Sequence, residues 1–303
     1  MTRNIGEDDV KIMEYASLGR SSYKSVFKNL SITNWIIVLN FIIFFLVFIL
    51  AQIFGSDKVV SYVAIDANSF FSGKFYILLI SMFVHFEIWH LLGNMISLFF
   101  IGNFVERLIG RKRFIYVYII SGLFAGLFFV TLSYYLGNIC ILDVNGCIGE
   151  RLFFKPDTPA VGASGAIFAL LGILAILTPY TRVYLIIGPI IAMVLQAIFH
   201  SIYPESPFIS IIDLIVFVYT MVAIFSIFSF NSRAVKIALP LSTPFYLLPV
   251  IAIVPLMVIS LFIELPFGNT AHLGGLIAGY IYASYLRKKY RKKTDMIRKI
   301  FSR

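Results

Sequence analysis

Charged residues are scarce in this sequence. They make up 13% of the 303 residues, whereas 60% are hydrophobic, and soluble domains carry about 25% charged residues. The mean hydropathy of +0.92 points the same way. This shortage of charge excludes an ordinary soluble domain and predicts an integral membrane protein.

Cysteine is scarcer still, with two residues in 303. The two cysteines, Cys140 and Cys147, belong to no cluster with metal-ligand spacing, which argues against zinc chemistry. We therefore expect no metal and no cofactor. Both cysteines fall in one predicted loop, where a disulfide between them and two unpaired thiols are both compatible with the sequence.

Long uncharged runs mark the predicted transmembrane helices, since about 20 apolar residues cross the hydrocarbon core as a helix. The first run begins near Ile32 and is too long for a secretory signal, and the polar MTRNIGEDDV before it does not resemble one. The predicted fold is all-α, a polytopic transmembrane bundle of about eight helices. Their predicted bounds are 32–54, 88–108, 113–137, 159–179, 183–203, 207–230, 244–264 and 269–287. The short link YPESP between the fifth and sixth is also compatible with a re-entrant hairpin.

Basic residues are unevenly distributed between the two sides of these helices. With the N-terminus in the cytoplasm, the cytoplasmic segments hold 21 of the 25 Lys and Arg residues, as the positive-inside rule requires. The net charge of +10 is then explained by the basic residues on the cytoplasmic side of the lipid bilayer, and nucleic acid is not needed as a partner. We expect a cytoplasmic N-terminal tail (1–31), a transmembrane domain (32–287) and a basic cytoplasmic C-terminal tail (288–303). The plasma membrane is the expected location, and an organellar membrane is the alternative.

One hydroxyl stands in the apolar run VGASGAIFALLG, residues 161–172. With Asp157 or Thr158 as the cap and Pro159 at the first helical position, Ser164 is predicted about 7.5 Å inside the helix. Gly162 and Gly165 flank it and would let another helix approach.

Two further helices place polar residues at a similar depth. His272 is predicted in the first turn of the last helix, with Gly275 and Gly279 on the same face. His90 and Asn94 are four residues apart in the second helix and share a face. Each feature alone is compatible with packing between helices, but packing gives no reason for all of them to share one depth.

Together these residues favour acyl transfer. A serine hydrogen-bonded to an imidazole can act as a nucleophile. Donors such as the Ser164 N–H, the Asn94 amide and the His90 imidazole could stabilise an oxyanion. Asp213 lies on another predicted span and Glu264 in the preceding loop, so the sequence predicts a dyad of Ser164 and His272 rather than a triad.

Three other polar positions are interpreted as structural. His85 is expected to fix the segment before the second helix through a hydrogen bond. His200, at the outer end of the fifth helix, is expected to be an interfacial residue without a partner motif. Glu106 and Arg107 are expected to cap the second helix.

Three motifs together resemble the rhomboid family of intramembrane serine proteases. They are HxxxN in the second helix, GxSG in the fourth and AHxxGxxxG in the last, in this order and on spans of the right direction. The resemblance extends over about 70–182 and 265–287. The residues that carry it are His90, Asn94, Gly162, Ser164, Gly165, Ala271, His272, Gly275 and Gly279.

This resemblance implies a role for each site residue. Ser164 would be the nucleophile and His272 the base, and His90, Asn94 and the Ser164 N–H would form the oxyanion hole. Phe168 falls where the family packs an aromatic ring on the catalytic imidazole.

The resemblance also implies an architecture and a substrate. Residues 56–87 would form a partly membrane-embedded loop in the outer leaflet, and 264–270 would cap the site. The family core has one helix between the serine and histidine helices, whereas three are predicted here, so an extra pair within 183–230 could cover a side of the core. The expected activity is cleavage of single-pass transmembrane proteins near the outer face. The alternative is a catalytically silent relative that binds transmembrane clients; a transporter built on broken helices is ranked last.

Overall fold

The computed structural model describes residues 30–140, 148–228, 236–261 and 268–301. Within these ranges the chain is a bundle of helices with one small sheet, and the predicted helical bundle is confirmed. Most of the N-terminal tail, Cys147, Glu264 and most of the cap segment lie outside the described residues. Cys140 is disulfide-bonded.

The helices are numbered in chain order, with a π-helical turn at Leu98–Gly102 inside the fifth. Their bounds are α1 (Ile32–Phe54), α2 (Ser56–Val63), α3 (Ala67–Phe71), α4 (Ile77–Ile80), α5 (Ile88–Ile109), α6 (Arg111–Leu136), α7 (Ile148–Phe153), α8 (Ser164–Leu177), α9 (Ile187–Ile202), α10 (Ile209–Phe228), α11 (Leu248–Ser260), α12 (Asn269–Lys289) and α13 (Arg291–Ile300). Two short strands, β1 (Arg182–Ile186) and β2 (Pro240–Pro244), pair antiparallel with Tyr184 opposite Ser242.

The helices differ in length more than the sequence predicts. Among the described residues, α1, α5 and α6 are long and apolar enough to cross a membrane, and α8, α9, α10 and α11 are shorter apolar helices. The predicted starts of the fifth and seventh helices, at 183 and 244, are wrong because the chain there is extended and pairs as β1 and β2. Apolar runs alone do not distinguish a short buried strand from the first turn of a helix.

Helix α8 is the central helix of the bundle. Ala169, Leu170, Ile173 and Leu174 on it are fully buried, and α5, α6 and α12 pack around it. Its first residue is Ser164. The end of the bundle that holds Ser164 is called the site end below.

A buried carboxylate joins α1 to the far end of α5. Glu106 accepts hydrogen bonds from the backbone N–H groups of Ile32 and Thr33 at 3.0 and 2.8 Å and from the Thr33 hydroxyl at 2.7 Å. Arg111 lies 3.5 Å from the same carboxylate. Glu106 therefore caps the free N–H groups of α1, and the expectation that it caps its own helix is wrong.

Candidate functional site

Ser164 begins its helix instead of lying inside it. Ala160 is extended and forms a bridge with Ile65, and Gly162 has a φ of +124°. A helix cannot form through a residue with that φ, so the predicted start at Pro159 and the depth of Ser164 along the helix are wrong. Ser164 instead lies where the first N–H groups of α8 have no partner within the helix and where the helix dipole is positive, so a negative charge would be favoured beside it.

Ser164 meets the imidazole of His272 across the boundary of two helices. The distance between Ser164 Oγ and His272 Nε2 is 2.9 Å. His272 is the fourth residue of α12, in the first turn as the sequence predicts. In the tautomer in which Nδ1 carries the proton, Nε2 accepts the serine O–H, which is the arrangement that a general base requires.

Backbone contact between α8 and α12 makes this distance possible. A Cβ added at Gly275 would collide with the Gly165 carbonyl, and one added at Gly279 would collide with the Ala169 carbonyl. A Cβ at Gly165 would lie 2.7 Å from Ala125 Cβ on α6. These glycines bring the helices together because no side chain separates them.

One face of the His272 ring is covered by Phe168. The ring centroids are 4.3 Å apart and the planes differ by 9°, so the two rings are stacked. Phe168 lies one turn after Ser164 on the same face of α8. No described residue lies within hydrogen-bond distance of the buried His272 Nδ1. Within the described residues the arrangement is therefore a dyad with a packed, uncharged ring as its support.

His90 and Asn94 gather around Gly162. A Cβ on Gly162 would lie 2.8 Å from His90 Cε1, 2.9 Å from His90 Nε2 and 3.4 Å from Asn94 Nδ2. Only a glycine tolerates both this contact and a φ of +124°. The histidine, the amide and the start of the serine helix are therefore brought together, as expected from their spacing and the GxSG motif.

His85 has a larger part in the site than the sequence suggests. Its Nε2 lies 2.9 Å from Asn94 Nδ2 and 3.4 Å from the Ala163 N–H. Burial, and to a smaller degree His90, lowers its pKa to about 3, so the ring is neutral at neutral pH and its Nε2 accepts from both groups. Asn94 has a second amide N–H, which this contact leaves available. The sequence signal for this role is the presence of His85 and His90 on either side of the start of α5, and by itself it indicates a structural histidine only.

The segment before α5 supports the serine turn from the other side. The Gly162 N–H donates to the Ser81 carbonyl at 2.8 Å. Phe75 and Leu79 of this segment are exposed, whereas Ile77 is fully buried. The segment is thus held to the bundle by one face while its other face presents apolar side chains.

His200 is not the isolated residue that the sequence suggests. Its Nε2 lies 2.7 Å from Asp213 Oδ1, so α9 and α10 are joined by a polar pair. The expectation that His200 has no partner is therefore wrong, while its position at the membrane interface stays a prediction. Asp213 is far from the dyad in the chain and, as expected, is not hydrogen-bonded to His272.

A family comparison covers the serine half of this site. Residues 72–210 match the Rhomboid family model, described as a rhomboid domain. The match includes His90, Asn94 and Ser164 and ends before α12, so the contribution of His272 rests on the geometry above.

Curated relatives carry the same family name. The mitochondrial RHOMBOID-like protein 12 of Arabidopsis thaliana is 28% identical over 141 residues, which are 46% of this chain and 40% of that protein. The rhomboid protease GluP of Bacillus subtilis is 29% identical over 157 residues, 51% of this chain and 26% of that protein. The mitochondrial Rhomboid protein 1 of Saccharomyces cerevisiae is 30% identical over 110 residues, 36% of this chain and 27% of that protein. The matched regions thus span less than half the length of these relatives.

Proposed function

This chain belongs to the rhomboid family, and from that premise we propose that it is an intramembrane serine endopeptidase with Ser164 as nucleophile and His272 as general base. It is a multi-pass membrane protein. The observation that carries the proposal is the 2.9 Å contact between Ser164 Oγ and His272 Nε2. Backbone contact between α8 and α12 brings the two side chains together. A serine that served only for helix packing would not need an imidazole at this distance.

The proposed reaction follows from this contact. His272 Nε2 takes the proton of the Ser164 hydroxyl as Oγ attacks the carbonyl carbon of the scissile peptide bond. The same proton then passes to the leaving amine as the carbon–nitrogen bond breaks. Water, activated by the same nitrogen, hydrolyses the acyl-enzyme and restores the serine. The stack on Phe168 holds the ring plane through these steps.

The oxyanion hole is proposed to consist of the Ser164 N–H, the free N–H of the Asn94 amide and the His90 ring. The position of Ser164 at a helix N-terminus supports this, because a negative charge that develops there is favoured by the helix dipole. His85 is a positioning residue in this proposal, since it touches Asn94 and Ala163 but no reacting atom.

The proposed substrates are single-pass transmembrane proteins, cleaved in the outer half of the bilayer. The distribution of Lys and Arg supports a site end that faces outward, with both termini in the cytoplasm. We propose the plasma membrane as the location. Two of the relatives are named mitochondrial, which makes an organellar membrane the alternative to test.

A silent relative that binds transmembrane clients is the competing hypothesis. Against it stand the contact of Ser164 with His272 and the stack of His272 on Phe168, which suit proton transfer and would not be needed for binding alone. Two relatives have names that include the word protease.

The test is cleavage of a model single-pass substrate by the purified chain, with Ser164→Ala and His272→Ala beside it. Product from the wild type that disappears in both variants would support the dyad. A serine-directed fluorophosphonate should label the wild type and not Ser164→Ala. Cleavage that persists in Ser164→Ala would refute the nucleophile, and binding without cleavage or labelling by the wild type would favour the silent relative.

A further inference from the structure

The two helices α9 and α10 carry polar side chains in otherwise apolar sequences. Gln196 and His200 lie on one face of α9, four residues apart, and Asp213 is the fifth residue of α10. Ionisable groups are rare in apolar membrane helices, because they are costly there, and most of those retained are functional. This cluster takes no part in the reaction proposed above.

Both donors of the cluster reach the same carboxylate oxygen. Gln196 Nε2 and His200 Nε2 each lie 2.7 Å from Asp213 Oδ1. The other oxygen, Oδ2, has no hydrogen-bond partner among the described residues. The side chains of His200 and Asp213 are 39% and 42% exposed. The contact between the two helices thus uses only Oδ1, and the partly exposed carboxylate leaves Oδ2 able to accept from another molecule.

The cluster lies near the start of α5, the helix that carries His90 and Asn94. Phe217 lies one turn after Asp213 on the same face of α10. Its ring is 5.0 Å from the ring of Trp89, the residue before His90. Asp213 therefore lies about 6 Å further toward the site end than this contact, beside the start of α5.

The chemistry of the free oxygen defines what it can bind. A carboxylate oxygen accepts hydrogen bonds and attracts cations, and both effects strengthen where water is scarce. The hairpin has apolar sides that fit the apolar side chains of a transmembrane helix. A segment that enters beside α5 with a basic side chain near its outer end would meet both features.

We propose that Asp213, held by Gln196 and His200, is a docking site for a lysine or arginine side chain of a substrate transmembrane segment. The proposal rests on the proposed function and deepens it, because it names a feature of the substrate. The basic side chain lies on the site-end side of the cleaved bond. Docking there selects the substrate and aligns it beside α5 before it reaches Ser164.

The experiment uses two labelled single-pass substrates that differ only in one Lys→Met change at this position. Their affinity is measured for the full chain with Ser164→Ala in lipid nanodiscs, so that binding is read without cleavage. The lysine substrate should bind about tenfold more tightly, as expected for a hydrogen bond to a charged group. Asp213→Asn should abolish this preference.

Two variants distinguish a docking role of Asp213 from its role in holding α9 to α10. Asp213→Asn keeps one carbonyl oxygen for Gln196 and His200 and replaces the free oxygen by an amide donor, so the unfolding temperature should stay close to that of the parent. Glu205→Gln removes one negative charge from the exposed link between α9 and α10 and should leave the preference for lysine intact.

Three results would overturn the proposal: equal affinity for the two substrates, a lysine preference that survives Asp213→Asn, or a preference that Glu205→Gln abolishes equally. The proposed function fails separately, if wild-type protein binds these substrates with the lysine preference but cleaves neither. Binding thus tests the docking site, and cleavage independently tests the proposed activity.

Discussion

The contact between α8 and α12 and the contact between the α9–α10 hairpin and the core are built on opposite principles. The first joins two backbones through glycine, with a Cβ at Gly275 excluded by the Gly165 carbonyl. The second joins two aromatic rings, Trp89 and Phe217, which are 45% and 41% exposed. A backbone contact leaves little freedom of relative position, and the proposed proton transfer would depend on such a fixed geometry. A contact between partly exposed rings leaves room for adjustment, which the proposed entry of a transmembrane segment would need.

The largest effect is expected from a substitution that separates α8 from α12. Gly275→Ala adds a Cβ that must displace the Gly165 carbonyl, and overpacking of this kind costs about 1–3 kcal/mol or more. We expect a lower unfolding temperature and loss of nearly all cleavage, because the Ser164–His272 distance increases. Thermal unfolding in detergent and cleavage of the model substrate measure the two effects.

Gly93→Ala is the matched control for that change. It is also a glycine in a helix, but a Cβ there meets nothing within 4 Å. Alanine stabilises a helix interior by about 0.5–1 kcal/mol relative to glycine, so this variant should be as stable as the parent or more so. Equal behaviour of the two variants would contradict the close backbone contact.

A second change acts on the site while it leaves the helix contact in place. Gly162→Ala puts a Cβ against the His90 ring and strains a φ of +124°. Displacement of one oxyanion donor costs about 100- to 1,000-fold in kcat. We expect such a loss in kcat with little change in KM. A rise in KM at unchanged kcat would show that this turn binds substrate instead of stabilising the oxyanion.

A smaller effect is expected from the ring that supports the base. Phe168→Leu removes the stack on His272, and aromatic pairs contribute about 0.5–1.5 kcal/mol beyond burial. The kcat/KM for cleavage should fall about tenfold or less. Phe168→Tyr keeps the ring and should retain most of the activity. An equal loss in both variants would indicate that the volume at this position, and not the stack, is what matters.

The sequence predicts this site better than it predicts the elements that carry it. The motifs around Ser164, His272, His90 and Asn94 predict that these residues meet, and the structure brings them together, while their catalytic roles stay predictions. The predicted start of α8 is wrong because Ala160 pairs with Ile65 and the Gly162 N–H donates to the Ser81 carbonyl, contacts that accompany a positive φ at Gly162. A local pattern cannot reveal such a contact.

Two further errors have the same origin. Glu106 caps α1, which lies more than 70 residues away in the chain, and His200 pairs with Asp213 on the neighbouring helix. Apolar periodicity places helices in the membrane, but it does not say which helix a polar side chain will reach. Long-range polar partners therefore remain the part of this fold that the sequence leaves open.

The smallest effect is expected where the hairpin meets the core. Phe217→Ala removes the ring contact with Trp89, and because both rings are partly exposed the free energy of unfolding should fall by about 1 kcal/mol or less. Cleavage of a short water-soluble peptide, which has no transmembrane segment to align, should be unchanged. Cleavage of the single-pass substrate should fall because the hairpin no longer keeps its position beside α5. Phe208→Ala, at a ring that is 62% exposed, is the matched control and should affect neither substrate. If Phe217→Ala instead destabilised the chain as much as Gly275→Ala, the hairpin would be part of the rigid core, and an adjustable entry beside α5 would be refuted.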